Sequence, residues 1–128
     1  MSIEHHTTDE YIYIKYMTDV LTQTESHLAY FQATEYLRRN QWNIQIVDLS
    51  DVKIILASNE EIRVMAEASV VLFSQYSPLH LIHVSGNPAH VEKIELFNSV
   101  LKDVGFDTVY HAPDLDSAKS LALELSSK

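Results

Sequence analysis

At 128 residues, with 46% hydrophobic and 21% charged side chains, the chain has the composition of one globular domain and not of a disordered segment. A net charge of -9 repels phosphate backbones and anionic lipid, so neither nucleic acid nor a membrane surface is an expected partner. The lack of cysteine excludes a disulfide framework, thiolate metal sites and a cysteine nucleophile. The opening MSIEHHTTDE has no basic stretch followed by an apolar one, and the apolar runs are too short for a membrane span. A cytoplasmic location is therefore the expectation.

Residues 10–17, EYIYIKYM, alternate: Ile12, Ile14 and Tyr16 share one face, and Tyr11, Tyr13 and Lys15 the other. That period predicts a strand. SIEHH before it has room to pair back through TTDE as a short edge hairpin. Thr22 followed by Glu25 is a capping-box signature and predicts a helix over 22–40. Leu28, Phe31, Ala33, Tyr36 and Leu37 recur along it near helical spacing, and Arg38 and Arg39 suit the dipole of its last turn. WNIQIVDL, 42–49, is a second alternating strand, with Ile44 and Ile46 set against Asn43 and Gln45.

The clearest helix covers 59–77, where Ile62, Met65, Ala66, Ser69, Leu72, Phe73 and Tyr76 form an apolar stripe that Pro78 stops. Val64, Ala68 and Val71 form a second line beside it. Either this helix is buried on both flanks, or the second line is a contact surface for a partner or a second copy. LHLIHVSG, 79–86, predicts a third strand. Asn87 as N-cap and Pro88 at the first helical position open a helix that buries Ile94, Phe97, Leu101 and Val104 and ends at Gly105. FDTVYHA is a fourth strand, and DLDSAKSLALEL a closing helix capped by Asp114 or Asp116.

Strands alternating with helices imply a parallel sheet with right-handed crossovers. If successive strands are spatial neighbours, the helices share one face. Alternation within the strands supports this, since a doubly covered sheet reads as apolar on both sides. The open face would then carry Tyr11, Tyr13, Gln45, Thr108 and Tyr110, with either His80 or His83.

The order of elements, DVLT before the first helix, IVDLSDV at the second strand and the ending VYHAPDLDSAKSLALEL together resemble a SpoIIAA-like, or STAS, domain. These are the fold of bacterial anti-sigma-factor antagonists and of the cytoplasmic domains of sulfate transporters. The resemblance covers nearly the whole chain, and DLSDV is its most specific part. It implies a four-stranded, mainly parallel sheet wound as a one-sided β/α superhelix, with a possible short N-terminal edge strand. In the antagonist members a partner kinase phosphorylates a serine in a DSSG-like loop beyond that aspartate, and Ser58 holds the matching position. Here the loop reads LASN: Leu56 replaces the acid, Ala57 the preceding serine and Asn59 the glycine. The chain is closer to the stand-alone bacterial subgroup that lacks the phospho-motif.

Ser58 followed by Glu61 is itself a capping box, which explains the serine without a kinase. A phosphoserine there would gain from the helix dipole and suffer from Glu60 and Glu61. His5 and His6 point to opposite faces of a strand, as do His80 and His83, and no pair of histidines has helical metal-ligand spacing. Asp48 ends a strand at the carboxyl edge, where open sheets bind ligands, although it can equally bond its own loop. There is no Gly-rich phosphate loop and no nucleophile–base–acid set. The expectation is a non-enzymatic regulatory module without cofactor or metal. It would act through protein contacts, with a partner or as a homodimer. The alternative is a carrier of a small apolar ligand or lipid that uses Tyr11, Tyr13 and Tyr110 on the open sheet face.

Overall fold

The computed structural model describes residues 3–26, 35, 43–76 and 78–127. The N-terminal hairpin forms: β1 (Ile3–Thr7) runs antiparallel to β2 (Ile12–Tyr16), with His6 opposite Tyr13 and His5 opposite Ile14. Thr8 closes the turn by accepting the Glu10 and Tyr11 backbone N–H groups on its hydroxyl, both at 3.1 Å. β4 (Ile44–Asp48), β6 (His80–Val84) and β7 (Val109–Ala112) complete a five-stranded sheet in the order β1-β2-β4-β6-β7, parallel from β2 onward.

Between strand and helix the chain adds a feature absent from the sequence pattern. β3 (Val20–Thr22) and β5 (Ile54–Leu56) pair in parallel as a separate two-stranded ribbon. Lys53 and Ile54 also donate their N–H groups to the Asp19 carbonyl at 2.8 and 3.0 Å. Residues 54–56 read as loop because three residues are too few for a period-2 pattern to show.

A helix starts at Gln23. Thr22 Oγ1 accepts the Glu25 N–H at 3.2 Å, as the spacing predicts, while the Glu25 carboxylate accepts from the Thr22 hydroxyl at 3.1 Å and not from its backbone as in a full capping box. The expected course of that helix through Leu28, Phe31, Ala33, Tyr36, Leu37, Arg38 and Arg39 lies outside the described residues, as does Trp42. The later helices are α1 (Asn59–Gln75), α2 (Pro88–Asp103) and α3 (Leu115–Ser126). Asn87 caps α2 with its side chain on the Ala89 N–H, and Asp114, not Asp116, caps α3 by accepting from Ser117 at 2.8 Å. α2 ends as its glycine predicts: Gly105 adopts φ 99°, its N–H bonds the Lys102 carbonyl, and the Phe106 N–H reaches back to Leu101. Val104, expected in the buried stripe, is 56% exposed instead.

The one-sided arrangement needs correction. α1 and α2 pack on one face through Leu72, Phe73 and Leu101 against Leu79, Leu81 and Val109. α3 lies on the opposite face, where Ala118 and Ala122 meet Ile44, Ile46, Ile82, Val84 and Ala112. The crossover argument binds only helices that connect two neighbouring strands, and α1 and α2 obey it. α3 follows the last strand and connects nothing, so it is free to fold back over the face the crossovers leave bare. The chain is thus an α/β protein with a mixed five-stranded sheet and helices on both sides.

Candidate functional site

The tyrosines do share a face, but it is not an open one. Register pairs Tyr13 with Ile46, Ile46 with Ile82 and Ile82 with Tyr110, so all four point the same way. This is the face that α3 covers. Tyr11 is 8% exposed within its core cluster, and Tyr13 and Tyr110 pack half-buried at the margins. His80, not His83, joins them: its Nδ1 lies 3.0 Å from the Tyr110 hydroxyl, with the two rings stacked. Tyr13 stacks on His6 of the hairpin and donates to Asp48 Oδ2 at 2.5 Å. Burial, then that contact with Asp48, pushes the Tyr13 phenol upward. Asp48 accepts the Ser50 N–H at 2.9 Å on its other oxygen, so this carboxylate ties its own loop to β2. Thr108 donates to the Leu79 carbonyl. Gln45 faces the other way, beside Ile12 and Leu81, because the pairing of β4 with its neighbours reverses the sense of its alternation.

Ser58 is exposed, and both halves of its capping box are formed. Its hydroxyl accepts the Glu61 N–H, and its own N–H reaches the Glu61 carboxylate, each at 3.1 Å. Replacing Ser58 by Ala should lower stability by about 0.5–2 kcal/mol in urea melts, while Asp should be nearly neutral. An alanine variant as stable as the parent would show that the cap contributes nothing. Two apolar surfaces flank this residue. The ribbon turns Leu21 and Ile55 inward and leaves Val20 39%, Ile54 55% and Leu56 61% exposed. On α1, Val64 is 47% and Val71 61% exposed, and Ala68 between them is exposed too. The second line of α1 therefore faces outward, which settles the alternative of a helix buried on both flanks.

On the α1–α2 side of the sheet lies a cavity of about 120 Å³. Its walls are Ile14, Val47 and Leu81 from the strands, Met65 from α1, and Ile94 and Phe97 from α2. Two polar side chains enter this lining from the sheet. Gln45 is 3% exposed, and its Nε2 has no hydrogen-bond partner. His83 Nδ1 is likewise without a partner, and the His83 ring meets Phe97 edge-on at 5.4 Å. Burial, with the neighbouring His111, pulls the His83 imidazole down to about 4. His83 therefore stays neutral at neutral pH. Val47, His83 and Phe97 line the cavity and keep some accessible surface.

Sequence reasoning missed a second polar cluster, at the carboxyl end of β6. Ser85 and His90 are 1% and 2% exposed, and Ser85 Oγ lies 2.9 Å from His90 Nδ1. Ser85 Oγ also accepts the Asn87 N–H at 3.1 Å, and His111 Nε2 donates to the Ser85 carbonyl at 2.7 Å. A serine beside a histidine suggests a nucleophile and its base. Both are shut away from solvent, however, and the second ring nitrogen of His90 meets Asn87 and the Lys53 carbonyl at 3.4 Å, not an acid. The cluster pins the start of α2 to the sheet. The signal that would have found it is a serine and a histidine on either side of the Asn87–Pro88 helix start. Among the described residues no three His, Asp or Glu side chains gather as a metal-binding group, and no helix is long and apolar enough to cross a membrane.

The sequence matches no protein-family model, and no curated protein matches it.

Proposed function

We propose that this chain is a non-enzymatic, cytoplasmic binding module of the SpoIIAA-like kind that works through protein contacts. The observation that carries the reading is the pair of apolar surfaces around Ser58: Ile54 and Leu56 on the ribbon, and Val64 and Val71 on α1, each close to half exposed or more. A chain that hides Phe73, Ile46 and Ile82 almost completely has no folding reason to turn these outward. Large exposed aliphatic groups are what a protein interface buries. The closed capping box supports Ser58 as a structural cap beside that surface and not as a switch within it.

The partner proposed here is a second copy of the chain. Sedimentation velocity at micromolar concentration should show dimers. Leu56→Glu with Val64→Glu should return monomers with the melting temperature nearly unchanged, because both positions are on the surface. A parent chain that stays monomeric would overturn self-contact, and a double variant that still dimerises would overturn this surface.

A further inference from the structure

We infer that the cavity between the sheet and α1–α2 is a binding site for a small uncharged hydroxyl compound, a phenol or a compact alcohol. It rests on the cavity lining and not on self-contact, although Ala68, which borders the cavity, lies between Val64 and Val71 of the proposed contact surface. Size comes first. A cavity of about 120 Å³ walled by leucine, isoleucine and phenylalanine is close to the roughly 150 Å³ of an engineered apolar cavity that takes benzene. A single six-membered ring therefore fits.

The polar groups decide the rest. The Gln45 amide is buried and Nε2 is a donor without an acceptor, so the site asks for one oxygen on an otherwise hydrocarbon body. His83 is diagonal to Gln45 across the β4–β6 pair, since Gln45 is registered with Leu81 and Val47 with His83. Its Nδ1 is also without a partner. A hydroxyl can accept from the amide and donate to a neutral imidazole nitrogen, whereas a ketone or ether serves only the first. A carboxylate is disfavoured. The one cation in the lining among the described residues, Lys93, already donates to the Ala57 carbonyl and lies 3.4 Å from Asn59 Oδ1. Ala68 lines the cavity and is itself exposed.

Phenol titrated into the intact protein, followed by NMR of the Gln45 side-chain amide and the His83 ring, tests this directly. Benzene and benzoate serve as comparators. Phenol should shift both reporters in a saturable way, bind more tightly than benzene, and leave benzoate without effect. Gln45→Leu should weaken phenol by about tenfold and leave benzene no weaker. Gln45→Met serves the same purpose if the leucine variant folds poorly. Three results would overturn the inference: no saturable shift up to the solubility of phenol, benzoate binding as well as phenol, or a water held on the Gln45 amide that phenol does not displace.

Discussion

Replacing Phe73 by alanine should lower folding stability by about 3–5 kcal/mol, the largest loss expected from a single truncation among the described residues. Phe73 is 1% exposed on the inner face of α1. Its ring lies 5.7 Å from that of Phe106, tilted by 47°, inside the cluster that Leu72, Leu79, Leu81, Leu101 and Val109 complete. Truncation removes the transfer energy of a benzyl group and leaves a hole whose walls, held by two helices and three strands, cannot close. Val71, two residues earlier on the same helix, is the matched control at 61% exposed. Val71→Ala should change stability by no more than about 0.5 kcal/mol. Urea unfolding of the two variants separates the inner and outer lines of α1. A loss of several kcal/mol at Val71 would mean that the outer line is core, and would remove the surface on which the proposed function rests.

Acid should destabilise the fold through His83. In the unfolded chain this imidazole titrates near its ordinary value of 6.5, and in the folded protein burial pulls it to about 4. Between those values the unfolded state holds a proton that the folded state refuses. The contribution is thus fully present above about pH 6.5 and falls away as the pH drops toward about 4, with a total on the order of 3 kcal/mol. The nearby His111 works in the same direction, since its positive charge opposes a second one on His83. Urea midpoints at about pH 7.5 and about pH 4.5 measure the loss, and His83→Leu should flatten much of it. An unchanged slope in that variant would place the acid sensitivity elsewhere, for instance in the half-buried hairpin, where burial and His6 also lower the His5 imidazole.

The local devices of the fold are legible in the sequence. Ser58 with Glu61, Thr22 with Glu25, Asn87 with Pro88, and Gly105 each do what spacing and residue type require, because a cap is built from atoms within a few residues of one another, whereas the choice of Asp114 over Asp116 came only with the structure. The stripe of α1 was legible for the same reason: Ile62, Ala66, Ser69, Leu72 and Phe73 are buried as the helical period demands. What lay beyond reach was every feature that depends on which strand face meets which layer. The tyrosines resemble an outward face because a phenol tolerates water, yet α3 closes over Tyr11, since a terminal helix is not held to the side of the crossovers. The candidate site was hidden for a related reason. Gln45 reads as the polar half of an alternating strand, and only the register of β4 between β2 and β6 turns it inward beside His83. The sequence alone therefore determined the α/β order of the main elements, the helix starts at Thr22, Ser58 and Asn87, the end of α2 at Gly105 and the inner stripe of α1, all consequences of short-range geometry. The tertiary structure alone decided the second helical layer, the β3–β5 ribbon and the cavity, because each is made by residues that are distant in the chain and adjacent only once the sheet has formed.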